Sequence, residues 1–284
     1  MPELAITLRS LIADGAERLR RSGVSEPRRE AIRLWSELTG GSLAEAALGG
    51  EQAAEAGSTA RFEHAVARRS LGEPLAHIIG WSGFRRLTLV SDRRALIPRP
   101  ETEGLVDLLL QRIQTGRVVD VGTGSGCMAL SLAQEGQFGE VVGIDLSTQA
   151  LTLARLNRDT VGVPVTLVQG DLCQPFPNQV FDALISNPPY LTEDEYSVLD
   201  PSVRQWEPKV ALTGGRDGML PTGRLLDEAR PVLRPGGWLA LEVDCSRAWA
   251  VARQACALGW DDVAIHMDLF GRERYLLARR SNER

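Results

Sequence analysis

Residues 117–126 read Arg-Val-Val-Asp-Val-Gly-Thr-Gly-Ser-Gly, an apolar run with one carboxylate that leads into a loop with three glycines. The segment predicts a buried strand over 117–121 and a helix around 129–133. Glycines at such a junction allow a tight turn and let a ligand approach the backbone, while the helix N-terminus offers free N–H groups. Several classes of nucleotide-binding protein use this turn, so the loop alone leaves the ligand open.

Strand and helix signals alternate on the C-terminal side of this loop. Strand-like runs occupy 141–145, 165–168, 181–186 and 238–243, and a helical pattern over 150–157 separates the first two. Because parallel strands are joined by crossover helices, this alternation predicts an α/β domain over residues 104–284, doubly wound and Rossmann-like.

The N-terminal side has a different character. In residues 1–80, apolar side chains recur at three- and four-residue spacing and strand signals are absent, which predicts a small all-helical domain. Ser42 suits the N-cap of a helix that begins at Leu43. Residues 81–103 connect the two domains as a β-hairpin, and the prolines at 98 and 100 delay the next helix to Glu101 or Thr102.

Polar residues follow three consecutive strands, where a single crevice is expected. Asp145 ends the second strand and can accept both ribose hydroxyls of an adenosine, while Asp171 can accept from an adenine amino group and Leu172 can cover the ring. The order of these features resembles class I S-adenosylmethionine methyltransferases. The predicted cofactor-binding residues are Asp120, Gly122, Thr123, Gly124, Ser125, Gly126, Asp145, Asp171, Leu172 and Asn187.

A second motif follows the fourth strand, at the same edge of the predicted sheet. Residues 187–190 read Asn-Pro-Pro-Tyr. At this position the motif resembles the amino methyltransferases, which act on the exocyclic amino group of adenine or on glutamine amides. The predicted catalytic residues are therefore Asn187, Pro188 and Tyr190, and the predicted substrate-binding residues are Asn187, Pro188, Pro189 and Tyr190.

The residue types of this motif suit a poor nucleophile. An amide-type nitrogen shares its lone pair with the adjacent π system, as a peptide nitrogen does. The Asn187 side-chain oxygen and the Pro188 carbonyl oxygen can accept its two N–H groups and let its geometry shift toward tetrahedral. Consecutive prolines hold these acceptors in place, and Tyr190 offers a flat face to the planar group.

Further segments resemble the PrmC/HemK family, which methylates the glutamine of the Gly-Gly-Gln motif in peptide-chain release factors. They are Gly-Glu-Pro-Leu-Ala-His-Ile at 72–78, Leu-Ile-Pro-Arg-Pro-Glu-Thr-Glu at 96–103, Glu-Pro at 207–208 with Gly-Gly-Arg-Asp-Gly at 214–218, and Asp-Leu-Phe-Gly-Arg-Glu-Arg at 268–274. The resemblance covers residues 10–280 in one order. The chain departs from the family at 242–246, Glu-Val-Asp-Cys-Ser in place of Glu-Ile-Gly, and at Leu172, where an aromatic residue is common.

This resemblance implies a protein (glutamine-N5) methyltransferase with a class I methyltransferase domain. Its cofactor would be S-adenosyl-L-methionine, released as S-adenosyl-L-homocysteine, and its partner a release factor that docks on the helical domain and presents its Gly-Gly-Gln loop. We expect the protein to be a monomer that acts in translation termination.

Composition limits the other partners. The formal net charge of -5 and the sequence pI near 5.4 lack the basic excess typical of proteins that grip nucleic acid. The four cysteines form no C-x-x-C pair and the three histidines are scattered, so no metal site is expected. The N-terminus lacks a signal-peptide pattern and no apolar run reaches the length of a membrane span, which favours the cytoplasm.

Three alternatives follow from the same motifs. A DNA adenine-N6 methyltransferase shares the chemistry, but it must extract a base and hold the DNA backbone, for which the acidic chain shows no footprint. The ribosomal-protein glutamine methyltransferases share Asn-Pro-Pro-Tyr, but their connector differs from the one at 96–103. A non-catalytic binding module could use the same fold, although the intact motifs argue against it.

Overall fold

The computed structural model describes residues 7–48, 50 and 53–282, which fold into two compact units. One unit runs to Gly80 and also takes in Asp200–Trp206, while the other comprises Trp81–Leu199 and the chain from Glu207 onward. In chain order, the helices are α1 (Leu8–Arg21), α2 (Pro27–Thr39), α3 (Leu43–Leu48), α4 (Ala56–Ser70), α5 (Leu75–Ile79), α6 (Pro100–Leu110), α7 (Cys127–Glu135), α8 (Thr148–Val161), α9 (Glu193–Ser197), α10 (Pro201–Arg204), α11 (Leu220–Val232) and α12 (Ala248–Ala257).

The strands form one hairpin and one large sheet. They are β1 (Trp81–Phe84), β2 (Leu87–Val90), β3 (Arg117–Val121), β4 (Glu140–Asp145), β5 (Thr166–Gln169), β6 (Phe181–Ser186), β7 (Leu233–Glu242), β8 (Trp260–Met267) and β9 (Glu273–Arg280). The α/β architecture, the helical N-terminal part and the β1–β2 hairpin confirm the fold class predicted from the sequence. Among the described residues, no helix combines the length and apolarity needed to cross a bilayer.

The helical unit is built from amphipathic helices whose apolar faces meet. Its core includes Leu19, Leu34 and Phe62, all at most 1% exposed, and Phe62 packs edge-on against Trp35. Helices α1 and α4 approach closely at Gly15, where an added Cβ would lie 2.6 Å from a Phe62 ring carbon.

Two local features of this unit concern its caps and its second segment. Ser42 caps α3 as predicted, since its hydroxyl accepts from Glu45 N–H and the Glu45 carboxylate accepts from Ser42 N–H.

The segment Asp200–Trp206 belongs to this unit although it follows β6 in sequence. Gly72, at φ +90°, faces it, and an added Cβ would lie 3.9 Å from Ser202 Cα.

The large sheet has the order β5-β4-β3-β6-β7-β9-β8. Strands β3 to β7 are parallel as predicted, whereas β9 runs antiparallel to both β7 and β8. The reversal arises because a short turn joins β8 to β9, and a short turn can connect only antiparallel neighbours. Helix α6 also begins one residue earlier than predicted, because Pro100 fits the first helical position.

Hydrophobic clusters cover both faces of the sheet and fix its register. One contains Val119, Leu184 and Leu241, and the other contains Val118, Ala183 and Ala240. These alternating positions point to opposite faces, so a one-residue slip of any central strand would exchange the two clusters. The carboxyl ends of β3, β4, β5 and β6 are thereby held at one edge.

The β1–β2 turn is anchored by Arg85, which adopts φ +52°. Its guanidinium forms a bidentate pair with Glu135 of α7, with N···O distances of 2.7 and 2.8 Å, and both side chains are 11% exposed. Its backbone N–H and Nη1 also donate to Glu103 of α6. One residue therefore connects the hairpin to two helices.

We expect Arg85→Ala to lower the free energy of unfolding of the unit that contains the large sheet by about 3 kcal/mol, because Glu135 would stay buried without its partner. Chemical denaturation would measure this loss, with Arg86→Ala as the matched control because Arg86 is exposed. An equal loss in both variants would contradict the assigned anchor.

Candidate active site

A cavity of about 460 Å³ opens at the carboxyl edge of the parallel strands, within the unit that contains the large sheet. The predicted residues that line it are Gly122, Thr123, Gly124, Ser125, Asp145, Asp171, Leu172, Asn187 and Pro189. Four other predicted residues, Asp120, Gly126, Pro188 and Tyr190, lie outside its lining. The structure thus brings both sequence motifs to one cavity, with part of each motif behind its wall.

Asp120 lies fully buried beneath the glycine loop. One carboxylate oxygen, Oδ2, accepts from the Thr123 hydroxyl at 2.7 Å and from Ala129 N–H at 3.1 Å. The other oxygen, Oδ1, is buried and has no hydrogen-bond partner within the described chain. Burial raises the pKa of Asp120 to about 7, despite the two hydrogen bonds that oppose the shift.

This shift sets a pH dependence of stability. Below about pH 4 the carboxyl group is protonated in both the folded and the unfolded chain, and between about 4 and 7 only the folded chain keeps the proton. The contribution of Asp120 to stability is therefore full at low pH and is lost as the pH rises through 7.

We expect the contribution of Asp120 to lower the free energy of unfolding of the wild type between pH 4.5 and 7.5. In Asp120→Asn the fall over this range should be smaller by at least about 1 kcal/mol. Urea denaturation at both pH values would measure the difference, and Asp227→Asn, at an exposed position on α11, serves as the control. An Asp120→Asn profile parallel to that of the wild type would contradict the raised pKa.

The glycine loop forms an open cradle over Asp120. Gly122 and Gly124 adopt φ of +72° and +56°, and a Cβ added to Gly122 would meet nothing within 4 Å. Gly126, at φ +86°, caps α7 and faces Leu130 rather than the cavity. The loop therefore leaves space above its first two glycines and closes against the helix at the third.

Asp145 ends β4 and anchors the same loop. Its Oδ2 accepts from Gly124 N–H at 2.9 Å and its Oδ1 accepts from Ser147 N–H at 2.8 Å. Burial raises the pKa of Asp145, although both backbone N–H groups favour the charged form. Each oxygen keeps a further lone pair, so the carboxylate can still accept from a ligand in the cavity.

Asp171 and Leu172 follow β5 on the next side of the cavity. Arg224 donates to Asp171 Oδ2 at 3.0 Å and also pairs with Glu228, so an arginine of α11 holds the carboxylate in place. Leu172 adopts φ +48°, a conformation that side chains with a Cβ rarely take. Arg224 lines the cavity and was not identified from the sequence.

Asn187 follows β6 and presents its side chain to the cavity. Its Nδ2 donates to the Thr102 hydroxyl at 3.2 Å, and that hydroxyl donates to Glu242 Oε2 at 2.7 Å. Thr102 and Glu242 are 3% and 2% exposed. A buried carboxylate at the end of β7 is therefore connected through a threonine of α6 to the amide of Asn187.

The rest of the Asn-Pro-Pro-Tyr segment is packed against a glycine-rich loop. A Cβ added to Gly214 would lie 2.6 Å from the Pro189 carbonyl oxygen, and Gly218 approaches the Tyr190 carbonyl oxygen as closely. Pro188 is buried, and the Tyr190 hydroxyl lies 3.5 Å from Glu242 Oε1. Burial raises the pKa of Tyr190, so its hydroxyl stays protonated at neutral pH.

A second buried carboxylate ties together two walls of the cavity. Glu207 accepts from Ile97 N–H at 3.0 Å and from Arg99 at 2.5 Å, and it is 5% exposed. The loops 94–99 and 207–213 both contribute to the lining. Glu207 thus connects the two loops that form this part of the lining.

The sequence motifs did not reveal Thr102, Glu207, Arg224 or Glu242 as parts of this site. Thr102 is separated by 85 residues from Asn187 and by 140 from Glu242, so local spacing carries no sign of their contact. The segments at 96–103 and 207–208 carry part of the family resemblance and contain Thr102 and Glu207, but the resemblance gave neither residue a role in the site.

Two family models match this chain. The PrmC N-terminal domain matches residues 10–80, and the Methyltransferase small domain matches residues 101–205. The second match spans the glycine loop and the Asn-Pro-Pro-Tyr segment.

Curated relatives match almost the whole length. The chain is 39% identical to the release factor glutamine methyltransferase of Deinococcus radiodurans, over 96% of this chain and 99% of that protein. It is also 39% identical to the protein of the same name from Moorella thermoacetica, over 98% of this chain and 100% of that protein. Among solved structures, a methyltransferase from Pyrococcus furiosus aligns with a TM-score of 0.54 at 20% identity, covering 80% of this chain and 100% of that one, which supports the fold.

Proposed function

We propose that this chain, which belongs to the release factor glutamine methyltransferase family, methylates the side-chain amide nitrogen of a glutamine in peptide-chain release factors. The target would be the glutamine of the Gly-Gly-Gln motif, and the methyl donor S-adenosyl-L-methionine. The observation that carries the proposal is Asn187, which lines the cavity with its amide NH2 bound to Thr102 and its amide oxygen left as an acceptor.

The cavity suits the proposed donor. The open space above Gly122 leaves room for a ligand, and the two remaining lone pairs of Asp145 can accept from a cationic nucleoside. Asp120, behind the lining, would support the glycine loop through the Thr123 hydroxyl and Ala129 N–H. Asp145 would hold the ribose hydroxyls, and Asp171 with Leu172 would hold the adenine. When bound, S-adenosyl-L-methionine supplies an electrophilic sulfonium methyl group and leaves as S-adenosyl-L-homocysteine.

The chain's own residues would act on the amide nitrogen. Asn187 Oδ1 and the Pro188 carbonyl oxygen would accept its two N–H groups, which orients the nitrogen lone pair toward the methyl donor. Tyr190, protonated and half-buried beside Glu242, would support the planar amide group. No strong base is required, because the amide proton becomes acidic only after methyl transfer and can then leave to water.

The helical unit would provide the docking surface for the release factor. Its family match over residues 10–80 supports a role separate from the chemistry of the cavity. We further propose that the protein acts as a monomer in the cytoplasm, where translation termination takes place.

A labelled methyl-transfer assay tests the proposal. A purified unmethylated release factor, its Gln→Ala variant in the Gly-Gly-Gln loop, purified ribosomal protein and duplex DNA would each be offered with radiolabelled S-adenosyl-L-methionine. Label on the release factor that is lost in the variant is the expected result. Label on DNA alone would overturn the proposal in favour of an adenine-N6 methyltransferase, and label on ribosomal protein alone would favour a ribosomal-protein glutamine methyltransferase.

A further inference from the structure

We propose that Thr102 and Glu242 determine which end of the Asn187 amide faces the cavity, so that its oxygen and not its NH2 group meets the substrate nitrogen. The inference rests on the proposed function and assigns both residues as positioning residues. Neither residue would touch the reacting atoms.

The argument follows the direction of two hydrogen bonds. When Glu242 is ionised its carboxylate only accepts, and the Thr102 hydroxyl then uses its single proton to donate to Glu242 Oε2, at 2.7 Å. The hydroxyl oxygen then offers only lone pairs to Asn187, at 3.2 Å. The amide must therefore present Nδ2 to Thr102, and its Oδ1 is left for the substrate.

Nothing in the amide itself would make this choice. The two ends of an asparagine side chain have nearly the same shape, and a flipped amide would point an N–H group at the substrate N–H groups. A donor facing a donor would repel the nitrogen that Asn187 is required to orient. The two buried residues thus make the oxygen end of the nearly symmetric Asn187 amide the end that faces the substrate as an acceptor.

The protonation of Glu242 provides a second consequence. A protonated Glu242 could donate to Thr102, whose hydroxyl would then be free to donate to a flipped Asn187 amide. Burial raises the pKa of Glu242, so this reversal begins at a higher pH than for an ordinary glutamate. The titratable and charged groups that face Glu242 are Glu101 of α6, Cys127 of α7, Tyr190 of the loop after β6, and Arg274 and Tyr275 of β9.

The kinetic test compares three variants of the full chain at saturating cofactor. Thr102→Val keeps the shape but removes the hydroxyl, and we expect kcat on the release factor to fall about 10- to 100-fold. Thr102→Ser restores the hydroxyl and should return kcat to within about threefold of the wild type. Ser131→Ala, which removes a buried hydroxyl that has no hydrogen-bond partner among the described residues, is the matched control.

The pH profile separates orientation from packing. In the wild type, kcat should fall on the acid side as Glu242 gains its proton. In Glu242→Gln this limb should disappear and kcat should be low at every pH, because a glutamine amide no longer forces the direction of the Thr102 hydroxyl. If Glu242 had a merely structural role, Glu242→Gln would still show the fall of kcat on the acid side that the wild type shows, with a lower kcat throughout.

The Asn187 amide protons give a readout that does not depend on turnover. With asparagine labelled by 15N and the signal assigned by its loss in Asn187→Ala, hydrogen exchange at Nδ2 should be slow in the wild type and Thr102→Ser. In Thr102→Val it should become fast. Equal exchange rates in all three, or wild-type kcat in Thr102→Val, would overturn the inference. A wild-type protein that does not methylate the release factor would refute the proposed function. The exchange rates would still decide the role of Thr102.

Discussion

Replacing Asn187 with alanine is expected to lower kcat about 1000-fold while the Kd for S-adenosyl-L-methionine changes less than about threefold. The size of the effect follows from what is lost, an acceptor that must be in place only when the nitrogen begins to change geometry. Interactions of this kind act on the transition state and leave ground-state binding almost unaffected. The variant also leaves the Thr102 hydroxyl without the amide to which it is hydrogen-bonded.

Single-turnover kinetics and a calorimetric titration of the cofactor would separate the two quantities. Asn178→Ala is the matched control, because Asn178 is exposed in a loop outside the cavity. A collapse of cofactor binding with unchanged turnover per bound complex would show that Asn187 holds the cofactor and does not orient the amide.

Asp145→Ala is expected to produce the opposite pattern, with a Kd for the cofactor about 100-fold higher and a smaller change in kcat at saturation. The variant would lack the carboxylate that we propose to accept from the ribose hydroxyls. It would also leave Gly124 N–H and Ser147 N–H without the carboxylate oxygens that now accept from them at 2.9 and 2.8 Å, so the glycine loop would have to be ordered by the ligand itself. Both losses raise the Kd.

Calorimetry would measure this change directly, and Asp227→Ala provides a control of equal charge at an exposed position of the same unit. Unchanged affinity in Asp145→Ala would remove Asp145 from the cofactor site. A matching loss in Asp227→Ala would attribute the effect to net charge and not to the carboxylate beneath the loop.

The part of this molecule that could be predicted from its sequence is the part with local causes. The β-strand of 117–121 is a short valine-rich run with one carboxylate, and its valines alternate between the two faces of a buried sheet. The placement of Asp145 and Asn187 at one edge follows once the strands are parallel, since their carboxyl ends must coincide. Their roles in binding and catalysis stay predictions until the variants are measured.

The remaining features depend on contacts that no local pattern encodes. Glu242 was noted only as the first residue of a segment, 242–246, that departs from the family pattern after it, and its bond to Thr102 arises from the adjacency of α6 and β7 in three dimensions. The antiparallel pairing of β9 with β7 is of the same kind, because α12 and β8 separate the two strands in the chain. The Arg224–Asp171 pair joins α11 to the end of β5 across 53 residues.

The allocation of Asp200–Trp206 to the helical unit has a consequence for how this gene can be rearranged. The chain passes from one unit to the other at Gly80, returns after Leu199 and leaves again at Glu207. A recombination joint at Gly80 alone would transfer a helical unit without its segment Asp200–Trp206. The sheet-containing unit that receives it would keep the corresponding segment of its own parent. Exchange of the N-terminal unit between related enzymes therefore requires two coordinated replacements, and inheritance of both units as one block is the simpler evolutionary route.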